Sequence, residues 1–376
     1  MPPSEPASAP PHGAVQRDLR LDAWRGFFLV IMTIDHLRSG LSRYTYEFAG
    51  YVSAAEGFVL LSGYVTGLSF TRAALANPGS LWPKAARRIR TIYVAHALTF
   101  LVLFATLRWV PGVVAEDSSW AKLFQMHPVD AVLLGLSGLY QPEFLDILPM
   151  YCLFLLLVPF TVRKLQAGEG IKVLCGSFSI WVAAQLGLSA KLIVWLGTVL
   201  PVWLGDFDPF AWQFLFVCGV CWGYRTSAGA AKRPLFQVPA LPFWLFIAPL
   251  VVLLFLWRHG LLTPPVVWNL EALQTGMNKQ YLGGIRLFNL ALLAGCLGSF
   301  RWALVPEKLV APLALLGRHS LAAFSIHVYL ANYWTTAQAL VPDFTPLEQI
   351  LATLFGVTIA LGVAAALERS RSERCS

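Results

Sequence analysis

Apolar runs long enough to cross a bilayer recur throughout this 376-residue chain. A transmembrane helix needs about 20 mostly apolar residues. An additional apolar stretch, Val129 to Tyr140, is too short to span and is predicted to be re-entrant or interfacial. The fold class predicted is an all-α polytopic membrane protein. Its transmembrane helices, about ten in number, are predicted near residues 23–40, 52–72, 90–109, 144–162, 171–189, 207–224, 239–257, 282–300, 312–336 and 347–367.

The composition excludes a soluble globular protein. Hydrophobic residues make up 57% of the chain and charged residues 13%, whereas charged residues are about 25% of a typical soluble domain. The net charge of +8 raises the question of a nucleic-acid partner. The Lys and Arg residues, however, stand in short clusters between apolar runs, which is the distribution that the positive-inside rule describes. We therefore expect the lipid bilayer as a partner and no nucleic acid.

The basic clusters also predict the topology, because short loops rich in Lys and Arg stay in the cytoplasm. If Arg17, Arg20 and Arg25 are cytoplasmic, ten crossings leave the later basic clusters on the same side. These are Arg72, Lys84, Arg87, Arg88 and Arg90; Arg163 and Lys164; Arg225, Lys232 and Arg233; and Arg369, Arg371 and Arg374. Counting 129–140 as a full crossing would move the later clusters outside. Both termini are therefore predicted to be cytoplasmic.

The chain is predicted to form one transmembrane domain with a tail at each end. Residues 1–16 are rich in Pro, Ala and Ser and are expected to be disordered. Residues 17–368 form the single transmembrane domain, and residues 369–376 form a basic cytoplasmic tail. No small-residue cleavage site follows the first apolar run, so this run is interpreted as a retained helix and not as a signal peptide.

Ionisable side chains within the apolar runs are the first candidates for function, because they are costly in a membrane. Arg25 and His36 lie eleven positions apart on the first predicted helix, which is three turns and roughly 16 Å along one face. An Arg at the cytoplasmic edge and a deeper His suit a bound anion and proton transfer. The alternative is an Arg that snorkels to the interface and a His that bonds a neighbouring helix. Both interpretations stay open from the residues alone.

Two acidic residues accompany this histidine. Asp35 precedes His36 by one residue and points about 100° away around the helix, so it is not expected to orient the imidazole directly. Glu56, at the start of the second predicted helix, would orient His36 if the two helices pack antiparallel. Alternatively, Glu56 lies at the outer interface and is solvated. Ser62 follows in the same helix, within the segment EGFVLLSGYVTG.

Three arginines, Arg87, Arg88 and Arg90, stand at the cytoplasmic mouth of the third predicted helix, in the segment PKAARRIRTIY. Arginine is the residue best suited to phosphate groups, which it binds bidentately. The alternative is a role in topology and in contact with lipid headgroups, which composition alone favours.

The ninth predicted helix carries Arg318, His319 and His327. The two histidines are eight positions apart and are expected to share a helix face. Without a third ligand nearby they make a poor metal site, so no metal is expected. The chain has no HExxH, GxSxG, P-loop or strand-linked GxGxxG motif, which leaves hydrolase, nucleotidase and dehydrogenase chemistry without support.

Several segments together resemble a known family. RDLRLDAWRGFFLVIMTIDH (17–36) is similar to the first helix of the integral-membrane acyltransferase family three superfamily, in which an Arg and a His separated by ten residues are the hallmark. EGFVLLSGYVTG resembles its second-helix segment and RRIRTIY its basic third-helix entry. DILPMY, FDPFAWQFLFVCGV and LGRHSLAAFSIHVYL narrow the resemblance to the OpgC-type branch. The similarity extends from about residue 18 to residue 335.

The resemblance implies a membrane acyltransferase. OpgC-type proteins are associated with succinyl substitution of osmoregulated periplasmic glucans in Gram-negative bacteria. By this resemblance the chain would lie in the inner membrane and move an acyl group from cytoplasmic acyl-CoA to a carbohydrate hydroxyl outside. Acyl-CoA, with succinyl-CoA favoured, would be the donor substrate, and no permanently bound cofactor is expected. A periplasmic glucan would be the acceptor, and the glucan-synthesis machinery is a candidate partner.

The resemblance also implies roles for individual residues. The catalytic candidates are His36, Arg25 and Glu56. The candidates for binding the CoA phosphates are Arg87, Arg88 and Arg90. The substrate-binding candidates are Asp35, Ser62, His327 and Arg318.

Acyl transfer from a thioester to a sugar hydroxyl needs a base and a site for the developing oxyanion. His36 would act as the base or, alternatively, as a nucleophile that is itself acylated. A succinyl donor also needs a cation for its free carboxylate, for which Arg286 and Arg318 are candidates. Outer aromatic residues such as Tyr46 and Trp268 either stack on sugar rings or anchor the chain at the interface.

Two other functions stay open. One is a transporter or flippase for glycans or small anions, which predicts helices broken by Gly or Pro. Pro149 and Pro159 in the fourth predicted helix agree with this to a small extent. The other is a non-catalytic partner of a glucan synthase.

Overall fold

The computed structural model describes residues 18–107, 127–200, 202–228, 241–262, 270–298, 305–341 and 343–374. Within these ranges the chain is helical, and the one strand-like pairing is an isolated bridge between Tyr140 and Trp203. A short 3-10 helix, Pro78–Ser80, leads into the fourth α-helix. The helices are α1 (Leu19–His36), α2 (Ser42–Thr45), α3 (Ala54–Ala76), α4 (Leu81–Leu107), α5 (Pro128–Ser137), α6 (Ile147–Gln166), α7 (Gly170–Gln185), α8 (Leu188–Gly197), α9 (Pro209–Ser227), α10 (Leu241–Arg258), α11 (Leu270–Met277), α12 (Gly284–Gly298), α13 (Glu307–Arg318), α14 (Ser320–Leu340) and α15 (Pro346–Glu373).

The helices agree with the predicted all-α membrane fold. Each predicted span coincides with one described helix or with two consecutive ones. Among the described residues, four helical segments are long and apolar enough to cross a membrane, and six are if each of two bent pairs counts as one span. The protein is therefore a multi-pass membrane protein. The count of ten crossings and the cytoplasmic position of both termini remain predictions.

Two predicted single helices are wrong, because each is broken by a corner. The segment predicted over 312–336 consists of α13 and α14, which meet at 88°. Glu368 of α15 holds this corner, since its carboxylate bonds Arg318 at 2.6 Å and His319 at 2.7 Å. His319 therefore lies at the corner and does not share a helix face with His327, contrary to the prediction.

The second corner divides the segment predicted over 171–189 into α7 and α8, which meet at 63°. It lies at Gly187, whose φ of 77° is in the left-handed region that glycine adopts without steric cost. The predicted short stretch over 129–140 is the ten-residue helix α5. At 1.5 Å per residue, a helix of this length covers roughly half of the hydrocarbon core.

Helices α3 and α9 pack with their backbones in contact. Gly63 and Gly67 of α3 lie against the backbone of α9, and Gly219 and Gly223 of α9 lie against the backbone of α3. A side chain at any of these positions would meet the opposing main chain. Pairs of small residues four positions apart are a common means of close approach between membrane helices. The contact fixes α3, which carries Ser62.

The outer surface of several helices is apolar. Leu98 of α4, Phe160 of α6 and Phe355 of α15 are each more than half exposed, whereas Phe100 and Phe154 on the same helices α4 and α6 are buried. In water this surface would be unfavourable, but lipid solvates it. Both faces of these helices are therefore apolar, one toward the protein core and one toward lipid.

Several predicted features lie outside the described residues. They are the disordered tail over 1–16, the basic residues Lys232 and Arg233, and Trp268. Of the predicted basic tail over 369–376, the described part up to Glu373 continues helix α15.

Candidate active site

A basic cavity of about 380 Å³ opens between α1, α3, α4 and α6. Four cations line it: Arg25, Lys84, Arg87 and Arg88. The three from α4 fall at helical positions i, i+3 and i+4, which share one face. Arg90, the third arginine predicted to bind phosphate, does not line this cavity. A neighbouring cavity of about 570 Å³ shares Arg25 and Lys84 and adds Arg72.

Arg25 lies where the basic cavity meets a much narrower one. Its Nη2 atom donates a hydrogen bond of 2.6 Å to the Ser320 hydroxyl at the start of α14, and its guanidinium lies 5.9 Å from the centre of the Phe58 ring. The N-terminal end of a helix carries partial positive charge. Arg25 and this helix end together make the junction electropositive, which suits an anionic ligand.

The narrow cavity has a volume of about 40 Å³, roughly a tenth of that of the basic cavity. Ser62 and Tyr151 line both it and the basic cavity. The Ser62 hydroxyl is buried and has no hydrogen-bond partner among the described residues. Ile147 lines the narrow cavity and also a third cavity on its far side.

This third cavity, which we call the polar cavity, has a volume of about 190 Å³ and contains His36 in its wall. Tyr46, one of the outer aromatic residues predicted to stack or anchor, lines it as well. Its charged lining residues are Asp35, Arg38, Asp146, Asp206 and Lys279. Three acidic residues and two cations around so small a volume offer many partners for hydroxyl groups.

His36, at the C-terminal end of α1, is held on two sides. Its Nδ1 atom lies 2.6 Å from Nε2 of His327 in α14. Its ring stacks on Phe144, with 4.1 Å between ring centres and 23° between ring planes. The His327 ring in turn contacts Phe324, which lines the narrow cavity. The histidine pair therefore stands between the narrow cavity and the polar cavity.

Two aspartates of the polar cavity have defined partners. Asp35 accepts a hydrogen bond of 2.5 Å from the Thr45 hydroxyl. Asp146, which precedes α6, accepts one of 2.7 Å from the Asp206 backbone N–H. Burial, and then the nearby Asp206, raise the pKa of Asp146 to about 7. Near neutral pH the Asp146 carboxyl group therefore exists in both forms, as a hydrogen-bond donor and as an acceptor.

Glu56 does neither of the things that the sequence predicts for it. Its side chain is fully buried, so the solvated alternative is wrong. One oxygen accepts hydrogen bonds from the backbone and hydroxyl of Ser53, and the other contacts Arg286 at 2.5 to 2.7 Å. Glu56 therefore caps α3 and pairs with Arg286, and its oxygens are engaged there instead of at the His36 ring.

Arg286 is the centre of a buried ion cluster. Besides Glu56 it binds Glu47 at 2.6 Å, and Glu47 also binds Arg258 at 2.6 Å. Burial would raise the pKa of Glu47, but the attraction of Arg286 and Arg258 outweighs it and leaves this pKa below its usual value. The cluster ties the segment after α1 and the start of α3 to α10 and α12. Ser53, which Glu56 bonds, lines the polar cavity.

The two arginines predicted to receive an acyl carboxylate are both paired with carboxylates of the protein. Arg286 binds Glu47 and Glu56, and Arg318 binds Glu368. Arg318 therefore serves the corner between α13 and α14. His319 shares Glu368 with it while His327 contacts His36, so the two histidines do not converge on one point.

Two non-glycine residues that line the polar cavity have positive φ angles. Arg38 and Phe144, which line it, have φ values of 49° and 67°, and Glu47 in the ion cluster has a φ of 53°. Non-glycine residues rarely adopt this left-handed region, and such strain concentrates at functional sites. The surrounding contacts, including the Phe144 stack on His36, hold the strained residues in place.

Sequence reasoning missed several residues of the polar cavity. Asp206 and Lys279 lie between predicted spans, whereas Phe144, Asp146 and Phe207 stand at the starts of the spans predicted over 144–162 and 207–224, where polar and aromatic residues are common and carry no signal of their own. The family resemblance is the one signal that includes some of them, because Asp146 and Phe207 belong to the segments DILPMY and FDPFAWQFLFVCGV.

A model of the OpgC protein family matches residues 17–372. The chain belongs to this family. No curated protein and no solved structure matches it. The range matched in this OpgC family member includes all the lining residues of the basic, narrow and polar cavities, and the contacts of His36. Membership agrees with the resemblance of the helix segments and identifies a membrane protein of glucan modification.

Proposed function

We propose that this OpgC family member is an O-acyltransferase of the bacterial inner membrane. It transfers an acyl group, succinyl by family resemblance, from cytoplasmic acyl-CoA to a hydroxyl of a periplasmic glucan. The observation that carries the proposal is the position of His36 in the wall of the polar cavity, from which the narrow cavity leads to the basic cavity. A transferase that joins substrates from opposite sides of a membrane needs this arrangement.

The donor fits the basic side. Arg25, Lys84, Arg87 and Arg88 offer positive charge for the phosphates of CoA, and arginine binds phosphate bidentately. The narrow cavity, whose volume is about 40 Å³, would receive the linear end of the CoA arm, and the nucleotide would stay in the basic cavity. The CoA arm would pass Ser62 and Tyr151 and bring its thioester toward the histidine pair. By the positive-inside rule, this basic side is cytoplasmic.

The acceptor fits the polar side. Asp35, Asp146 and Asp206 offer acceptors for sugar hydroxyl groups, and Tyr46 and Phe207 offer aromatic faces. The cavity volume of about 190 Å³ accommodates one sugar unit of a longer chain and leaves the remainder outside. Lys279 and Arg38 are the cations that line this cavity. Arg38 pairs with Glu143, so we assign the free carboxylate of a succinyl group to Lys279. Arg286 and Arg318 have carboxylate partners of their own.

The chemical step follows from the histidine. His36 accepts the proton of a sugar hydroxyl through Nε2, and the hydroxyl oxygen forms a bond to the thioester carbonyl carbon. The carbon–sulfur bond then breaks, and the departing CoA thiolate takes the proton from His36. If His36 instead attacks the thioester itself, the same nitrogen carries the acyl group before the sugar receives it. An acyl-histidine trapped in the absence of acceptor would identify the second route.

The transporter alternative predicts helices broken by Gly or Pro, and the corner at Gly187 is one such break. A glucan would also have to cross the narrow cavity, which at about 40 Å³ is the smallest of the four cavities described above. Helix α6 continues through Pro159 without a break. The sharp corner at His319 is closed by Glu368. The small cavity, the continuous α6 and the closed corner favour a fixed site over a moving gate.

The proposal is tested by mass spectrometry of periplasmic glycans from cells that carry the wild-type protein, the His36→Ala variant or neither. We expect a succinyl ester on the glucan with the wild type alone. Full substitution in cells with the inserted His36→Ala variant would refute the catalytic assignment. Glucan moved by purified protein without consumption of acyl-CoA would favour the transporter.

A further inference from the structure

The contact between His36 and His327 involves two ring nitrogens, 2.6 Å apart. At this distance one nitrogen must carry the hydrogen and the other must offer a lone pair. In a neutral imidazole one nitrogen is a donor and the other an acceptor, so the other hydrogen-bond partners of each ring determine its tautomer. For this pair, the second contact of His327 determines the tautomer.

The Nδ1 atom of His327 lies 3.1 Å from the carbonyl oxygen of Phe324. A carbonyl oxygen only accepts, so His327 Nδ1 carries the hydrogen. His327 is 1% exposed and has no carboxylate partner among its described contacts, and a buried, unpaired imidazolium is unfavourable. The ring is therefore neutral, and its Nε2 holds a lone pair directed at His36.

The tautomer of His327 fixes that of His36. Because His327 Nε2 accepts, His36 Nδ1 must donate, and the lone pair of the neutral His36 ring is then on Nε2. The stack on Phe144 fixes the plane of the ring at the same time. His36 is thus held in one tautomer and one orientation, in the wall of the polar cavity.

We propose that His327 is a positioning residue that sets the tautomer of His36 and presents Nε2 as the atom that accepts the acceptor's proton. This inference rests on the proposed acyl transfer. The chain of hydrogen bonds runs from the Phe324 carbonyl through His327 to His36. A neutral histidine backed by a backbone carbonyl here performs the orienting role that a carboxylate performs in hydrolase triads.

The test compares two substitutions of His327 in purified protein reconstituted into proteoliposomes. In His327→Gln, the amide oxygen lies the same number of bonds from Cβ as Nε2, so it still accepts from His36. His327→Leu keeps apolar volume and removes the acceptor. We expect the Leu variant to lose at least about 100-fold in kcat, the lower end of what a positioned base contributes. Its KM for succinyl-CoA should stay unchanged, and the Gln variant should remain within about tenfold of wild-type kcat.

The matched control is His96, another buried histidine, whose Nε2 bonds the Gly135 carbonyl and which lines neither the narrow nor the polar cavity. His96→Gln and His96→Leu should show no comparable difference between Gln and Leu. Equal kcat in the two His327 variants would overturn the positioning role. If His36→Ala is inactive while both His327 variants are fully active, only this inference fails. Full activity of His36→Ala would instead remove the proposed function.

A second measurement does not depend on any variant at 327 folding. Nitrogen-15 NMR of histidine-labelled wild-type protein distinguishes the two neutral tautomers, and the His36 signals are identified by their loss in His36→Ala. We expect the hydrogen of His36 on Nδ1 and that of His327 also on Nδ1. A neutral His36 ring with its hydrogen on Nε2 would contradict the inference.

Discussion

Replacing Arg286 by Met tests the buried ion cluster that holds the start of α3 beside the polar cavity. The substitution keeps a long side chain and removes the guanidinium, which is 2% exposed and binds Glu47 and Glu56. Glu47 keeps Arg258 as a partner, whereas Glu56 keeps only its hydrogen bonds with Ser53. One buried carboxylate, not two, is therefore left without a counter-ion.

Breaking a buried ion pair by removing one partner costs about 3–5 kcal/mol, because the remaining charge is uncompensated. We expect Arg286→Met to be destabilised by about this amount, and not by twice as much. The double variant Arg286→Met with Glu56→Gln should recover most of the loss, since the uncompensated charge is gone. Adding Glu47→Gln instead should recover little, because Glu47 still has Arg258.

The assay is the thermal midpoint of the detergent-solubilised protein, followed by size-exclusion chromatography after heating at a fixed rate. A midpoint for Arg286→Met equal to that of the wild type would refute the reasoning. So would better recovery from Glu47→Gln than from Glu56→Gln. The depressed pKa of Glu47 adds a pH dependence. Its stabilisation is present above the unfolded value of 4.5 and is lost as the pH falls through the lower folded value.

Four further predictions follow from separate features. Lys279→Met should lower transfer from succinyl-CoA by about tenfold or more and leave transfer from acetyl-CoA nearly unchanged, as measured by kcat/KM with each donor. Gly219→Ala should lower the thermal midpoint because its Cβ meets the α3 backbone, whereas Gly362→Ala, with open space around it, should not. The thermal midpoint of the wild type relative to that of Asp146→Asn should fall as the pH rises from about 4 to about 7, the interval in which the folded state retains the Asp146 proton and the unfolded state does not. A reporter fused after Ser376 should be active in the cytoplasm, and a periplasmic signal would imply an odd number of spans.

The helices are predictable from the sequence because each apolar run is long enough to form one. Their corners are not, because they depend on contacts between distant segments. The helix direction changes at Arg318 and His319, because Glu368, about fifty positions later in the chain, binds both side chains. Gly187 marks the other corner, but glycine also occurs inside membrane helices, as at Gly63. Its identity alone therefore did not predict a break.

Some residues of the candidate site are likewise predictable from the sequence and others are not. Arg25 and His36 stand out in the sequence because ionisable residues are rare in apolar runs. The partners that define their surroundings do not, since Arg286 is 230 positions from Glu56 and His327 is 291 positions from His36. From the sequence, Glu56 either lies beside His36, if the first two helices pack antiparallel, or is solvated at the outer interface. The structure pairs it with Arg286 because a buried carboxylate needs a cation more than an imidazole does.

The central claim is that His36 joins a donor on one side of the membrane to an acceptor on the other. Its most direct test reconstitutes the purified protein in proteoliposomes, with labelled succinyl-CoA on the side of the basic cavity and glucan on the opposite side. The account predicts succinylated glucan with the wild type. With folded His36→Ala it predicts a rate at least about 100-fold lower, which is the effect expected when a general base is lost. Transfer by His36→Ala at the wild-type rate would contradict it.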